Sequence, residues 1–82
     1  MITYETDLQT LFAYTREAVE ELEPGEKFMV RDLFKGFQWN RIPKGLRTKL
    51  GGLFYRFVTE ERSEDFETVG KTPQNQQIYK KK

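Results

Sequence analysis

The segment "LRTKLGGLFYRF", residues 46–57, is the part of the sequence that decides the fold. Apolar residues recur at helical spacing within it and just after it, at Leu46, Leu50, Leu53, Phe54, Phe57 and Val58. At about 100° per residue these positions form a single stripe along one side of a helix. Proline is favoured at the first helical position because its missing N–H would have no partner there. The segment therefore predicts an amphipathic helix that begins at Pro43 and buries its apolar stripe.

The opposite side of this helix is basic and unusually smooth. It carries Lys44, Arg47, Thr48, Gly51, Gly52 and Tyr55, and it is flanked by Lys49 and Arg56. An exposed glycine in a helix costs about 1 kcal/mol relative to alanine, so two adjacent glycines need a reason. We interpret the pair as room for a surface that docks on the helix. Two other interpretations are that Gly51 lets a neighbouring element pack closely and that the pair bends the helix.

Upstream of this segment, the sequence predicts an amphipathic helix near the N-terminus. Its apolar residues are Leu8, Leu11, Phe12, Ala18, Val19 and Leu22. Thr6 and Gln9 have the spacing of a capping box at the start of the helix. Pro24 and Gly25 are typical residues after a helix end. Four exposed glutamates are expected on its last turns: Glu17, Glu20, Glu21 and Glu23.

The middle of the chain predicts short elements that need the rest of the fold for stability. "KFMV", residues 27–30, is β-prone, and residues 31–36 are compatible with a brief helix that turns Leu33 and Phe34 inward. "GFQWNR", residues 36–41, is then a connection to the basic helix. Trp39 within it is interpreted as a core residue rather than as an exposed stacking platform.

Downstream of the basic helix, "TEERSED", residues 59–65, predicts a solvated acidic loop. "FETVGK", residues 66–71, and "QQIYKK", residues 76–81, then flank "TPQN", which suits a hairpin built on a type I turn. The three final lysines, residues 80–82, are interpreted as a frayed end rather than as a phosphate contact.

Composition limits the possible functions of this 82-residue chain. Residues 1–82 are expected to form one domain, because a chain of this length has no room for a second core. The chain has no cysteine and no histidine, which removes the commonest zinc ligands and the commonest general base near neutral pH. The acidic loop lacks the fixed ligand spacing of a calcium site. We therefore predict a protein that is not an enzyme and that uses no cofactor and no metal.

Location and charge favour a particular kind of partner. No apolar run is long enough to span a bilayer and no signal peptide is visible, so a cytoplasmic protein without a membrane partner is expected. The net charge is only +1. However, residues 27–57 carry eight basic groups and one acidic group, whereas residues 1–26 carry seven acidic groups and one basic group. Such segregation can present a face that attracts phosphate.

The order helix, short strand, short helix, longer helix and hairpin is that of a winged helix-turn-helix, so the predicted class is α+β. The sequence also resembles an uncharacterised family of short bacterial and phage-borne winged helix-turn-helix-like proteins. The similarity is carried by "RDLF" (31–34), Trp39, "IPKG" with Arg47 (42–47), Leu50-Gly51 with Phe54, "VGK" (69–71) and Tyr79. The resemblance implies the fold more than an activity. In a winged helix-turn-helix, a basic third helix enters the major groove of DNA and the hairpin wing lies along the backbone or minor groove.

The functional prediction is therefore a small regulator that binds duplex DNA through phosphates. The predicted contacts are Lys44, Arg47, Thr48, Lys49, Gly52, Tyr55 and Arg56 from the helix, with Lys71 and Lys80 from the wing. Arg47 is the candidate for a guanine contact, since a guanidinium can bond O6 and N7 together. The third helix has no Asn or Gln for adenine, and the connection before it is longer than the usual three- to four-residue turn. The alternative is a protein-interaction module that uses the acidic first helix or the glycine-containing face.

Overall fold

Helices and an antiparallel sheet build an α+β architecture. The computed structural model describes residues 2–82, and within them there are three α-helices and a three-stranded sheet. The helices are α1 (Leu8–Ala18), α2 (Gly36–Asn40) and α3 (Lys44–Arg56), and the strands are β1 (Lys27–Phe28), β2 (Phe66–Lys71) and β3 (Gln77–Lys81). Short 3-10 turns follow α1 at Val19–Glu21 and precede α2 at Val30–Leu33. No helix of residues 2–82 has the length and apolar character needed to cross a membrane.

The sheet has the order β1-β3-β2, so the last strand of the chain lies in its centre. The short β1 pairs with β3 through Phe28 opposite Tyr79, which confirms the predicted strand but shortens it to two residues. β2 and β3 form the predicted hairpin, and the pairing shifts between Thr68 and Gly70. In this β-bulge, Gly70 has a φ of 136°, a backbone conformation that residues other than glycine rarely adopt.

The core centres on α3, which packs against both α1 and the sheet, and six of the thirteen buried apolar residues within residues 2–82 are aromatic. Phe54 of α3 is fully buried, and its ring lies 5.1 Å from that of Tyr79 and 6.1 Å from that of Phe28, both in edge-on geometry. Aromatic pairs of this kind contribute beyond the apolar area that they bury. The predicted stripe is confirmed at Leu50, Phe54, Phe57 and Val58, which are buried, while Leu46 and Leu53 are half-buried at its edges.

The predicted capping box on α1 is wrong, and the cap lies one residue later. Asp7 is the N-cap residue, and its carboxylate accepts a 2.9 Å hydrogen bond from the backbone N–H of Thr10. Thr6 instead accepts a bond from the backbone N–H of Thr3, so it stabilises the turn before the helix. The α-helix ends at Ala18, and a 3-10 turn continues it toward Pro24 and Gly25.

The segment predicted as a long connection is a helix. α2 begins at Gly36, because the side-chain oxygen of Gln38 accepts a bond from the backbone N–H of Lys35, and it ends at Asn40. Leu33 and Phe34 are buried as predicted, but they lie in and after a 3-10 turn. Pro43 is the N-cap of α3 rather than its first residue. Only residues 41–43 separate α2 from α3, a length typical of a helix-turn-helix turn.

The acidic loop and the chain end are more ordered than predicted. A π-type turn, Phe57–Glu61, continues α3 into the predicted loop. Beyond it, the Arg62 guanidinium bonds the carboxylates of Glu20 and Asp65, which ties the 3-10 turn after α1 to the entry of β2. At the other end, the side chain of Lys82 donates to the Ser63 carbonyl, so the final lysines are held by the fold.

The position of the α1 cap can be tested by substitution. Asp7→Ala should lower the thermal unfolding midpoint at pH 7, since the Thr10 N–H loses its acceptor. Hydrogen bonding from Thr10 lowers the pKa of Asp7 from its ordinary 3.8. Its stabilising effect is therefore present above pH 3.8 and is lost as the pH falls through the lower pKa of the folded state. The difference between Asp7→Ala and the parent, followed by circular dichroism, should shrink below that pH.

Two control variants make this test specific to Asp7. Asp7→Asn keeps an acceptor but cannot titrate, so it should retain part of the stability at pH 7 and remove its pH dependence. Gln9→Ala should be neutral, because Gln9 is exposed and makes no cap in the folded chain. If Gln9→Ala lowers stability and Asp7→Ala does not, the capping box of Thr6 and Gln9 is correct after all.

Candidate functional site

An open groove of about 660 Å³ lies between α3 and the β2–β3 hairpin. We call it the α3–hairpin groove. From α3 it is lined by Lys44, Arg47, Thr48, Gly51 and Tyr55, and from the hairpin by Lys71, Gln74, Asn75, Gln76, Gln77 and Tyr79. Met29, Val30, Arg31 and Trp39 complete the lining. The groove therefore joins the basic helix face to the hairpin.

The charge of the groove differs from that of the whole chain. Among residues 2–82, its lining includes four cationic side chains and no carboxylate, although the net charge of the protein is only +1. The cations come from separate elements: Arg31 precedes α2, Lys44 and Arg47 belong to α3, and Lys71 ends β2. Hydroxyl and amide side chains fill the remaining polar positions. This chemistry suits an anionic ligand that accepts hydrogen bonds.

Arg47 has a structural task that the sequence does not reveal. Its Nε donates to the Ile42 carbonyl at 2.9 Å, one Nη donates to the Trp39 carbonyl at 3.1 Å, and the guanidinium lies over the Trp39 ring at 5.2 Å. These bonds hold the turn between α2 and α3. A guanidinium already committed to two carbonyls is poorly placed for bidentate contact with guanine, so the predicted base-reading role of Arg47 loses its support. Its charge still faces the groove.

The other predicted contact residues divide into two groups. Lys44, Thr48, Tyr55 and Lys71 line the groove. Lys49, Gly52 and Arg56 are exposed on α3 outside it, and Arg56 forms a 3.2 Å ion pair with Glu60. Lys80 also lies outside the groove. It follows the buried Tyr79 on β3, so its side chain leaves the opposite face of the sheet, where it pairs across strands with Glu67.

The two glycines of α3 have open space beside them. Apart from the adjacent residues and the backbone of α3 itself, a Cβ atom built on Gly51 or Gly52 would meet no atom of residues 2–82 within 4 Å, and neither residue has a positive φ. The interpretation that Gly51 permits close packing of a neighbouring element is therefore wrong. Gly51 lines the groove and Gly52 does not, so Gly51 is the glycine that keeps the groove wide.

Sequence reasoning missed three parts of the lining. Arg31 falls in a segment predicted as a brief helix, the amides of the hairpin turn have no predicted role beyond the turn, and no sequence pattern predicts a site role for Tyr79. The Tyr79 ring is 1% exposed, and burial, followed by the charge of nearby Tyr55, raises the pKa of Tyr79 to about 12. Strand alternation signals its inward position, but the groove beside it requires the packed fold.

We expect Arg47→Ala to destabilise the protein. The change removes two hydrogen bonds to backbone carbonyls in the α2–α3 turn and should cost about 1–3 kcal/mol of unfolding free energy. Lys44→Ala, on the same helix but exposed, should change this free energy by no more than about 0.5 kcal/mol. Urea denaturation followed by circular dichroism measures both. Equal stability of the two variants would contradict a structural role for Arg47.

The glycines should be replaceable without loss of the fold. Gly51→Ala and Gly52→Ala should each raise the unfolding free energy by up to about 1 kcal/mol, because alanine favours the helix and restricts the unfolded chain. Thermal and urea unfolding measure the gain. Destabilisation by more than about 1 kcal/mol would mean that the glycine is needed for backbone conformation or internal packing.

Comparison with known proteins identifies a family without assigning an activity. Searches of curated proteins and of solved structures gave no significant match. Residues 15–81 match the sequence profile of a family described as Domain of unknown function (DUF1413). This range covers α2, α3, the whole sheet and the last four residues of α1. The chain therefore belongs to the DUF1413 family.

Proposed function

We propose that the protein is a winged-helix domain that binds duplex DNA. Two features of the fold support the winged-helix assignment. The order α1, β1, α2, α3, β2, β3 with the sheet order β1-β3-β2 is the arrangement expected of this class. In addition, the turn of residues 41–43 between α2 and α3 has the length expected of a helix-turn-helix.

The observation that carries the DNA proposal is the charge of the α3–hairpin groove. Its four cations and the absence of any carboxylate from its lining create a local positive surface in a protein whose net charge is nearly zero. Phosphates supply the dominant and sequence-independent part of DNA affinity. In a winged helix, α3 enters the major groove while the hairpin follows the backbone, so a strand of DNA would pass between them.

The residues favour positioning on the backbone over reading of sequence. Lys44 and Lys71 provide charges on the two sides of the groove, and Tyr55 provides a hydroxyl donor. The Thr48 hydroxyl donates to the Lys44 carbonyl at 3.3 Å, so it offers the groove an acceptor. α3 contains no Asn or Gln, and the guanidinium of Arg47 is engaged by backbone carbonyls. Contacts to phosphate and sugar fix orientation and carry little sequence information. We therefore propose weak sequence preference.

Salt dependence tests this proposal. A fluorescently labelled duplex should bind at low salt, and a log–log plot of affinity against salt should have a slope of about −4, since each of four phosphate contacts contributes about −0.9. Lys44→Gln and Lys71→Gln should each reduce the slope by about one and weaken all duplexes alike. Lys49→Gln and Lys80→Gln are matched controls, because they remove the same charge outside the groove, and they should have smaller effects.

The outcomes distinguish DNA binding from the alternative. Tight binding with a slope near zero would contradict a mechanism driven by phosphates. If the controls weaken binding as much as the groove variants do, the groove is not the contact surface. Absence of binding to duplex and single-stranded DNA at low salt would favour the protein-interaction module.

A further inference from the structure

Tyr79 occupies an unusual position for a polar side chain. Its ring is held between the sheet and α3, with ring centroids 5.6 Å from Phe28 and 5.1 Å from Phe54, and the residue is only 1% exposed. Such contacts fix the position of the phenolic oxygen, while its hydrogen can still rotate toward an acceptor. A hydroxyl on this ring needs no further ordering to meet a ligand, unlike the mobile ammonium group of a lysine.

The hydroxyl of Tyr79 makes no hydrogen bond to any residue in the range 2–82. Within that same range, no fully buried side-chain oxygen or nitrogen is left without a partner. The hydroxyl must therefore retain contact with solvent, and it is the polar atom of the small exposed part of the residue. Tyr79 lines the α3–hairpin groove, so this contact lies there.

The surroundings of the hydroxyl favour an anion. Its pKa of about 12, raised mainly by burial, keeps it protonated and neutral at physiological pH, so it acts as a donor. The same groove holds the charges of Lys44, Arg47 and Lys71. Gly51 lines the same groove and adds no side chain to it. A phosphate oxygen can accept a hydrogen bond from the neutral Tyr79 hydroxyl while its negative charge is attracted by the surrounding cations.

We propose that the Tyr79 hydroxyl forms the floor of a phosphate site in the α3–hairpin groove and donates a hydrogen bond to one phosphodiester of a bound duplex. The identity of the ligand rests on the proposed function, whereas the phosphate site rests on the position of Tyr79. The cations attract the phosphates electrostatically at long range, and the hydrogen bond from the buried hydroxyl determines the position of one bound phosphate. Tyr79 is thus a contact residue that the charge pattern of the sequence does not mark.

Tyr79→Phe tests the site, because it removes only the hydroxyl. The aromatic ring remains and no hydrogen bond within residues 2–82 is lost, so the variant should fold with the thermal midpoint of the parent. Its affinity for labelled duplex should fall about tenfold, as expected for the loss of a hydrogen bond to a charged group. The salt slope should remain unchanged, since a neutral donor releases no counterion. Tyr4→Phe, which removes an exposed hydroxyl outside the groove, should bind like the parent.

A second measurement separates the phosphate site from the choice of DNA. Inorganic phosphate, titrated against a chloride control of equal ionic strength, should shift the backbone amide NMR signals of Gly51 and Lys71 in the parent, and less so in Tyr79→Phe. Duplex binding that is equal in parent and Tyr79→Phe would overturn the site and leave the proposed function standing. If phosphate shifts the amide signals in a way that depends on Tyr79 but no duplex binds, the phosphate site is supported and the proposal that its ligand is duplex DNA is overturned. Absence of both would overturn both.

Discussion

The contact between Phe54 and Tyr79 is the constraint on which the rest of the fold depends. It joins the centre of α3 to the central strand of the sheet, and Phe28 packs against both rings. A chain of this size buries a limited fraction of its surface, so a few large aromatic contacts supply much of its stability. Because the cluster fixes the sheet against α3, it also fixes the distance between the two sides of the α3–hairpin groove. Core and candidate site are consequences of the same packing.

Local patterns in the sequence were sufficient for α3 and the hairpin. The apolar stripe of α3 has helical spacing, and β2 has the bounds that its composition predicts. Each of these elements is specified by residues that lie close together in the sequence. α2 could not be found in this way. Five residues make too short a helix for an apolar repeat, and its first turn is fixed by Gln38, whose side-chain oxygen also accepts a bond from Tyr14 of α1. That interaction exists only in the folded chain.

In the candidate site, too, some features follow from the local sequence and others exist only in the folded chain. Helical geometry correctly placed Lys44, Thr48 and Tyr55 on one face, and chain order brought Lys71 to them. It could not show that Arg47 is engaged by the carbonyls of Trp39 and Ile42, because the path of the α2–α3 turn decides that contact. Lys80 was assigned to the wing for its charge, although its neighbour Tyr79 takes the inward position on the strand. Charge in the sequence indicates the kind of ligand, whereas the packing of the fold determines which charged side chains line the groove.

The β-bulge in β2 divides the hairpin into two parts with different mechanical properties. Below it, β3 is flanked on both sides, because β1 pairs with Tyr79 and Lys80. Beyond it, Gly70 and Lys71 pair with β3, and no third strand of the described part of the chain, residues 2–82, pairs with this end of the hairpin. A two-stranded ribbon is marginally stable without further packing, and such regions open at low free energy cost. The base of the groove is thus held by the aromatic core, whereas its outer edge is a two-stranded hairpin tip that begins at Gly70 and that we expect to open at a lower free energy cost.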